Sequence, residues 1–202
     1  MPLVAEPLVH VTRTRLPLAN GATMAVDLYR YRRDGGREET VLALSAGSEP
    51  LPLVRIHSAC LTGDAFGSVR CDCGAQLRHA IDLLATGRGG LLIYLPGDEG
   101  RGIGLAEKIR AYALQDAGLD TVAANHALGF PADLRDYAAA VAVLRARGVR
   151  RLRLLTNNPH KVRALEEAGI RVEERVPHEV GRTDANRDYL ATKKRMLGHL
   201  VP

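Results

Sequence analysis

The chain holds three cysteines, Cys60, Cys71 and Cys73, and none elsewhere in its 202 residues. An odd number argues against a disulfide framework. So does the opening MPLVAEPLVHV, which carries neither a basic leader nor a long apolar run, and the expected compartment is the cytoplasm. A metal site suits these residues better. Thiolates favour zinc, which takes four protein ligands in structural sites and three plus a water in catalytic ones. Both arrangements are open to this sequence. His57, three residues before Cys60, would close a Cys₃His structural site; without it the three thiolates leave a position for water. The polar residues nearby favour the open form. Three thiolates give the site a net negative charge, so its water is less acidic than in a three-histidine site. A neighbouring proton donor or acceptor would help.

Two further stretches have the strand–turn–helix form that aims backbone N–H groups at an anion. One is Gly97-Asp98-Glu99-Gly100-Arg101-Gly102-Ile103-Gly104, which fails the dinucleotide fingerprint because Glu107 stands where its last glycine belongs. The other is Thr156-Asn157-Asn158-Pro159-His160-Lys161, where hydroxyl, amide and ammonium donors converge without the glycines of a Walker A loop. Asp133 and Arg135, followed by Asp136, stand at the start of an expected helix; taken alone they read as carboxylates near a helix N-terminus.

The elements that must position these groups fall into two rhythms. Residues 8 to 57 read as β-rich, with turns at Asn20-Gly21 and Asp34-Gly35-Gly36. Met24, Val26 and Leu28 alternate with polar neighbours as a half-buried strand should. Further strands are expected over 40–44 and 53–57. The remainder alternates helices (75–86 capped by Gly87, 105–117, 134–147, 159–168, 187–197) with short apolar strands (91–95, 151–155, 170–176). The fold class is mixed α/β, a single domain over 11–202 preceded by a flexible N-terminus over 1–10.

Composition narrows the function. Lys and Arg number 28 against 23 Asp and Glu, a net +5. The charges are scattered, and eight aromatics give few stacking platforms, so no nucleic-acid partner is expected. No run approaches the roughly 20 apolar residues of a membrane span. Only four of the 28 basic residues are lysine, and an arginine excess suits a small polyanionic ligand.

The segments together resemble the GTP cyclohydrolase II family. The resemblance rests on Val54 to Asp64 (VRIHSACLTGD), Arg70-Cys71-Asp72-Cys73-Gly74, Glu99 to Leu105, Lys108 to Asp116, and Leu154 to Pro159. It runs in order from about residue 11 to the C-terminus. It implies the first step of riboflavin synthesis, in which GTP loses C8 as formate and its outer phosphates as pyrophosphate. It also implies one zinc ion, magnesium on the triphosphate, and a homodimer. Carried over by position, it makes Cys60, Cys71 and Cys73 the zinc ligands. Arg55, Ile56, His57, Ser58, Ala59, Gln76, Glu99, Gly100, Arg101, Thr121, Thr156 and Lys161 become GTP contacts. Asp133 becomes the proton acceptor, Arg135 the group that attacks the α-phosphorus, and Tyr112 a helper at the zinc. A guanidinium is a poor nucleophile at neutral pH, so an electrostatic clamp suits Arg135 better.

Two departures from the family pattern bear on the substrate. Ala59 stands where relatives usually carry Glu, and Leu95-Pro96-Gly97-Asp98 replaces a stretch that usually carries Arg with Gln or His. One alternative is therefore a paralogue that stops at the formamide or takes another purine nucleotide. Another is a non-catalytic, zinc-stabilised nucleotide-binding protein.

Overall fold

The computed structural model describes residues 7–33, 35–86 and 89–200. Asp34 of the second expected turn, Gly87 of the expected cap and residues 1–6 lie outside them. The strands are β1 (Leu8–Pro17), β2 (Thr23–Arg32), β3 (Glu38–Ala46), β4 (Leu53–Ser58), β5 (Gly90–Leu95), β6 (Arg151–Leu155) and β7 (Arg171–Val176). They form one sheet in the order β1-β2-β3-β5-β4-β6-β7. From β1 across to β5 the pairings are antiparallel, and from β5 to β7 they are parallel. This is the mixed α/β fold that the two rhythms imply.

The helices are α1 (Leu61–Asp64), α2 (Cys73–Thr86), α3 (Leu105–Asp116), α4 (Thr121–Ala127), α5 (Ala138–Ala146), α6 (Pro159–Glu167) and α7 (Arg187–Leu197). Strand alternation sends Val54, Ile56, Ile93 and Leu154 into one core with residues of α5 and α6. Leu53, Leu92 and Leu155 enter a second core against Ala80 and Leu84 of α2. Arg55 and His57 share the face of Leu53, since side chains alternate along a strand. That puts them on the α2 side, beside the cysteines.

Three expectations are corrected. Residues 8–10 are not a loose leader, because they pair with β2 and His10 Nε2 lies 2.9 Å from Asp27 Oδ1. β1 is an almost wholly exposed edge strand, so it lacks the alternation that would have announced it. The helix expected from residue 134 begins instead at Ala138. Asp133 and Asp136 each accept a backbone N–H two residues on, at 3.0 Å, and Tyr137 takes a φ of 59°. Such turns compete with the first helical turn. The glycine-rich loop is wound into a 3₁₀ segment, Pro96–Gly102, kinked at Glu99 to Arg101.

The parallel half positions the site. β4 runs on through α2 to β5 on one side, while β6 runs through α6 to β7 on the other. Ligands of open α/β sheets bind at such a switch point, outside the carboxyl ends of the strands. The turns after β4, β5 and β6 carry all three sequence segments singled out above.

Candidate active site

The turn after β4 delivers Cys60, while Cys71 and Cys73 flank the start of α2. The three sulfurs lie within 4.8 Å of one another, with Cys60 and Cys71 3.6 Å apart. A tetrahedral zinc with bonds of about 2.3 Å holds its sulfurs about 3.8 Å apart, so donor type and spacing both fit that ion. Glycines make the room. A Cβ on Gly63 would press on the sulfurs of Cys71 and Cys60 at 3.2 and 3.3 Å, and one on Gly74 would overlap the Gly63 carbonyl.

His57 does not close the site. Arg55 Nη2 donates to its Nδ1 at 3.4 Å, which leaves Nε2–H to donate to Asp64 at 3.1 Å. Burial lowers its pKa to about 4 despite that carboxylate, so the ring is neutral at physiological pH. Asp64 also accepts from the Cys60 N–H and the Tyr94 hydroxyl, both at 3.0 Å. From α3, Lys108 Nζ donates to Cys60 Sγ at 3.1 Å and to Glu99 Oε1 at 2.7 Å. The other Glu99 oxygen accepts the Leu61 N–H at 2.7 Å. Hydrogen bonds from Cys71 and Cys73, joined by Lys108, draw the Cys60 thiol far below its ordinary value. The bond to Cys60 pushes Cys71 up to about 11. A divalent cation bound by the three sulfurs would favour the thiolate form of each.

A cavity of about 1000 Å³, part of it open to solvent, runs from the sulfurs to the Thr156 turn. Its far end is cationic. Arg135 donates to both oxygens of Asp133, at 2.8 and 2.5 Å, and to Ser58 Oγ at 3.1 Å. Ser58 in turn donates to the buried Asp98 at 2.7 Å. Burial disfavours the Asp133 anion, but Arg135 overcomes it and holds the carboxyl below its usual range. Lys161 Nζ donates to the Ile56 carbonyl at 2.7 Å. Its pKa is driven well down, first by burial and then by Arg55 and Arg135. Arg101 Nη2 and Arg55 Nε are buried without a hydrogen-bond partner.

The structure brings most of the sequence-assigned residues into this one cavity. Arg55, His57, Ser58, Ala59 and Gln76 line it beside the cysteines. Glu99, Gly100 and Arg101, with Tyr112, Thr121, Arg135, Thr156 and Lys161, complete the set. Two stand apart. Ile56 points into the core and offers only its carbonyl, and Asp133 acts on the cavity through Arg135. Tyr112 lies 3.4 Å from Thr62 Oγ1, and the Arg70 guanidinium stacks on its ring. Sequence reasoning missed Asp64, Lys108 and Asn125 and the C-terminal Tyr189, Lys193 and His199. Lys108, Ala111, Tyr112 and Gln115 all line the cavity. Their spacing of three, four and seven was a readable helix face.

The comparisons agree with this geometry. A sequence profile described as GTP cyclohydrolase II matches residues 9–177, and the chain belongs to that family of enzymes. It is 56% identical over 196 residues to GTP cyclohydrolase-2 of Pseudomonas syringae pv. tomato, covering 96% of this chain and 94% of that one. It is 47% identical over 199 residues to GTP cyclohydrolase-2 of Neisseria meningitidis serogroup C, covering 98% and 99%. The Riboflavin biosynthesis protein RibBA of Aquifex aeolicus is 47% identical over 197 residues, which are 96% of this chain and 48% of that protein. Among the described residues no helix is long and apolar enough to cross a membrane.

Proposed function

We propose that this chain hydrolyses GTP, releasing C8 as formate and the outer phosphates as pyrophosphate, in riboflavin synthesis. The observation that carries the reading is one cavity with a three-thiol cluster and the buried Arg55 at one end and the buried Lys161 with the mostly buried Arg135 at the other. Cys60, Cys71 and Cys73 would hold the zinc, which when bound supplies Lewis acidity and an activated water. Arg135, Lys161 and Arg101 face the triphosphate with hydrogen-bond donors, and magnesium accompanies it. Arg135 acts as a clamp, because its two hydrogen bonds to the Asp133 carboxylate keep the guanidinium protonated and so without a nucleophilic lone pair. Tyr112 reaches the sulfur end of the cavity and is placed to hold or give a proton during ring opening. Its own ionisation is pushed up by burial, so the phenol keeps its proton at neutral pH.

The test is incubation of the zinc-loaded chain with GTP and magnesium, with products resolved by mass. Formate and pyrophosphate together are the expected result. A product that keeps the formyl carbon would mean an enzyme that stops after ring opening. Unchanged GTP with the metal in place would overturn GTP as substrate.

A further inference from the structure

The C-terminal helix lies beyond the span that the family profile matches, yet it reaches the heart of the cavity. Its entry is fixed by a reciprocal cap. Thr183 N–H donates to Asn186 Oδ1 at 3.0 Å, and Asn186 donates on to the Gly181 carbonyl at 2.7 Å. Gly181 lies so close to Ala75 of α2 that a side chain there would overlap it. Its exit is tied as well, for the Leu200 N–H donates to the Asn157 carbonyl at 2.8 Å. Between these ties, Lys193 Nζ sits 2.6 Å from Oδ1 of Asp72, the residue between Cys71 and Cys73. Both members of that pair are at least nine-tenths buried.

The pair does not end at Asp72. Its other oxygen accepts from Gln76 Nε2 at 2.6 Å, and Gln76 Oε1 accepts from Arg55 Nη2 at 2.7 Å. Arg55 is anchored by the Leu155 carbonyl at 3.1 Å and donates to His57. One buried chain of hydrogen bonds thus runs from α7 through the metal turn to Arg55 on β4. Up to Arg55, whose Nε alone lacks a partner, each named side chain of this network meets its neighbour directly, so a displacement at one is passed to the next.

We propose that Lys193 is a positioning residue: through Asp72 it sets the Cys71–Cys73 turn and, through Gln76, the Arg55 guanidinium. α7 is then part of the active site. The inference rests on the GTP reading for its kinetic arm alone, because the retention of metal by the cysteines is measured without substrate.

The experiment uses the full chain with Lys193→Met, Lys193→Arg, Asp72→Asn and the double variant Lys193→Met/Asp72→Asn. Zinc release to a chromogenic chelator and steady-state kinetics on GTP are read for each, with circular dichroism to report folding. The double variant leaves no buried charge unpaired, so it keeps the test usable if Lys193→Met unfolds. Lys193→Met is expected to release zinc about tenfold faster and to raise KM for GTP about tenfold, in the range of outer-shell losses at metal sites. The double variant should be no worse than Asp72→Asn, and Lys193→Arg should restore most of the retention. Zinc release at the parent rate from the folded Lys193→Met or double variant would overturn the proposal, as would effects of the two changes that simply multiply. If the parent chain leaves GTP unchanged, the GTP reading falls, and zinc release still decides the role of Lys193.

Discussion

The two ends of the cavity are built on opposite principles. At the sulfur end the carboxylates are matched. Asp64 takes three donors, Glu99 takes Lys108 and the Leu61 N–H, and Asp72 takes Lys193 and Gln76. At the cationic end donors exceed acceptors. Arg101 Nη2 is orphaned, and Lys161 is held in a place that disfavours its charge. An unpaired buried donor costs about 1–3 kcal/mol, so this end is stable only to the extent that something anionic relieves it. The difference teaches that one end is organised before any ligand arrives, while the other is completed by its ligand.

Breaking each end should show this asymmetry. Cys71→Ser is the largest expected loss, with zinc content near zero by atomic absorption and turnover down at least about 10³-fold, as befits several kcal/mol of metal assistance. Arg135→Met should lower kcat about 10²–10³-fold with zinc content unchanged, since a donor aimed at developing charge is worth roughly 3–4 kcal/mol. A parallel loss of zinc there would erase the proposed division between the ends. Asp64→Asn should weaken zinc retention and activity about 10–100-fold, read by chelator competition, because an amide has one acceptor oxygen where the carboxylate uses two for His57 and the Cys60 N–H.

Acidity sharpens the comparison further. Lys161 is protonated below its depressed pKa and neutral above it, and a bound phosphate draws the proton back. KM for GTP should therefore rise with pH above that value, and Lys161→Arg, which stays charged, should flatten the profile. A slope that survives in Lys161→Arg would assign the titration to another group. The smallest effect is expected at Asp98, whose carboxylate faces Arg135 and Lys161. Asp98→Asn should lower KM about threefold by removing a competing negative charge, as a weak and partly screened Coulomb contribution would.

Much of this was legible before any coordinates. The cysteine spacing, the absence of disulfide logic and the strand–turn–helix segments all point to one metal and anion site. Strand β4 was readable over 53–57 because that run is apolar except for Arg55 and His57, and those two exceptions face the cavity. The limits of reading are local. α4 was missed although Asp120 caps it, accepting from Val122 and Ala123 N–H groups at 2.8 Å, because its seven residues are too few to show a period. The start of α5 was misplaced because Asx turns at Asp133 and Asp136 outcompete the helix that the apolar pattern suggests. Lys193 and Asp72 are 121 residues apart in the chain, and nothing in either neighbourhood announces the other.

The kinked segment after β5 meets the thiol cluster at one fastening, Glu99, which takes both Lys108 and the Leu61 N–H. Upstream of it, a side chain on Gly97 would run into the buried carboxylate of Glu39, and Asp98 accepts from Ser58 Oγ at 2.7 Å. Leu95 is tied to the turn that carries Cys60, its carbonyl accepting the Ala59 N–H at 3.1 Å. The stretch 95–98 therefore bears on both ends of the cavity at once: its backbone holds the residue before Cys60 and its carboxylate faces Arg135 and Lys161, so a change there is felt by the metal turn and the anion site together.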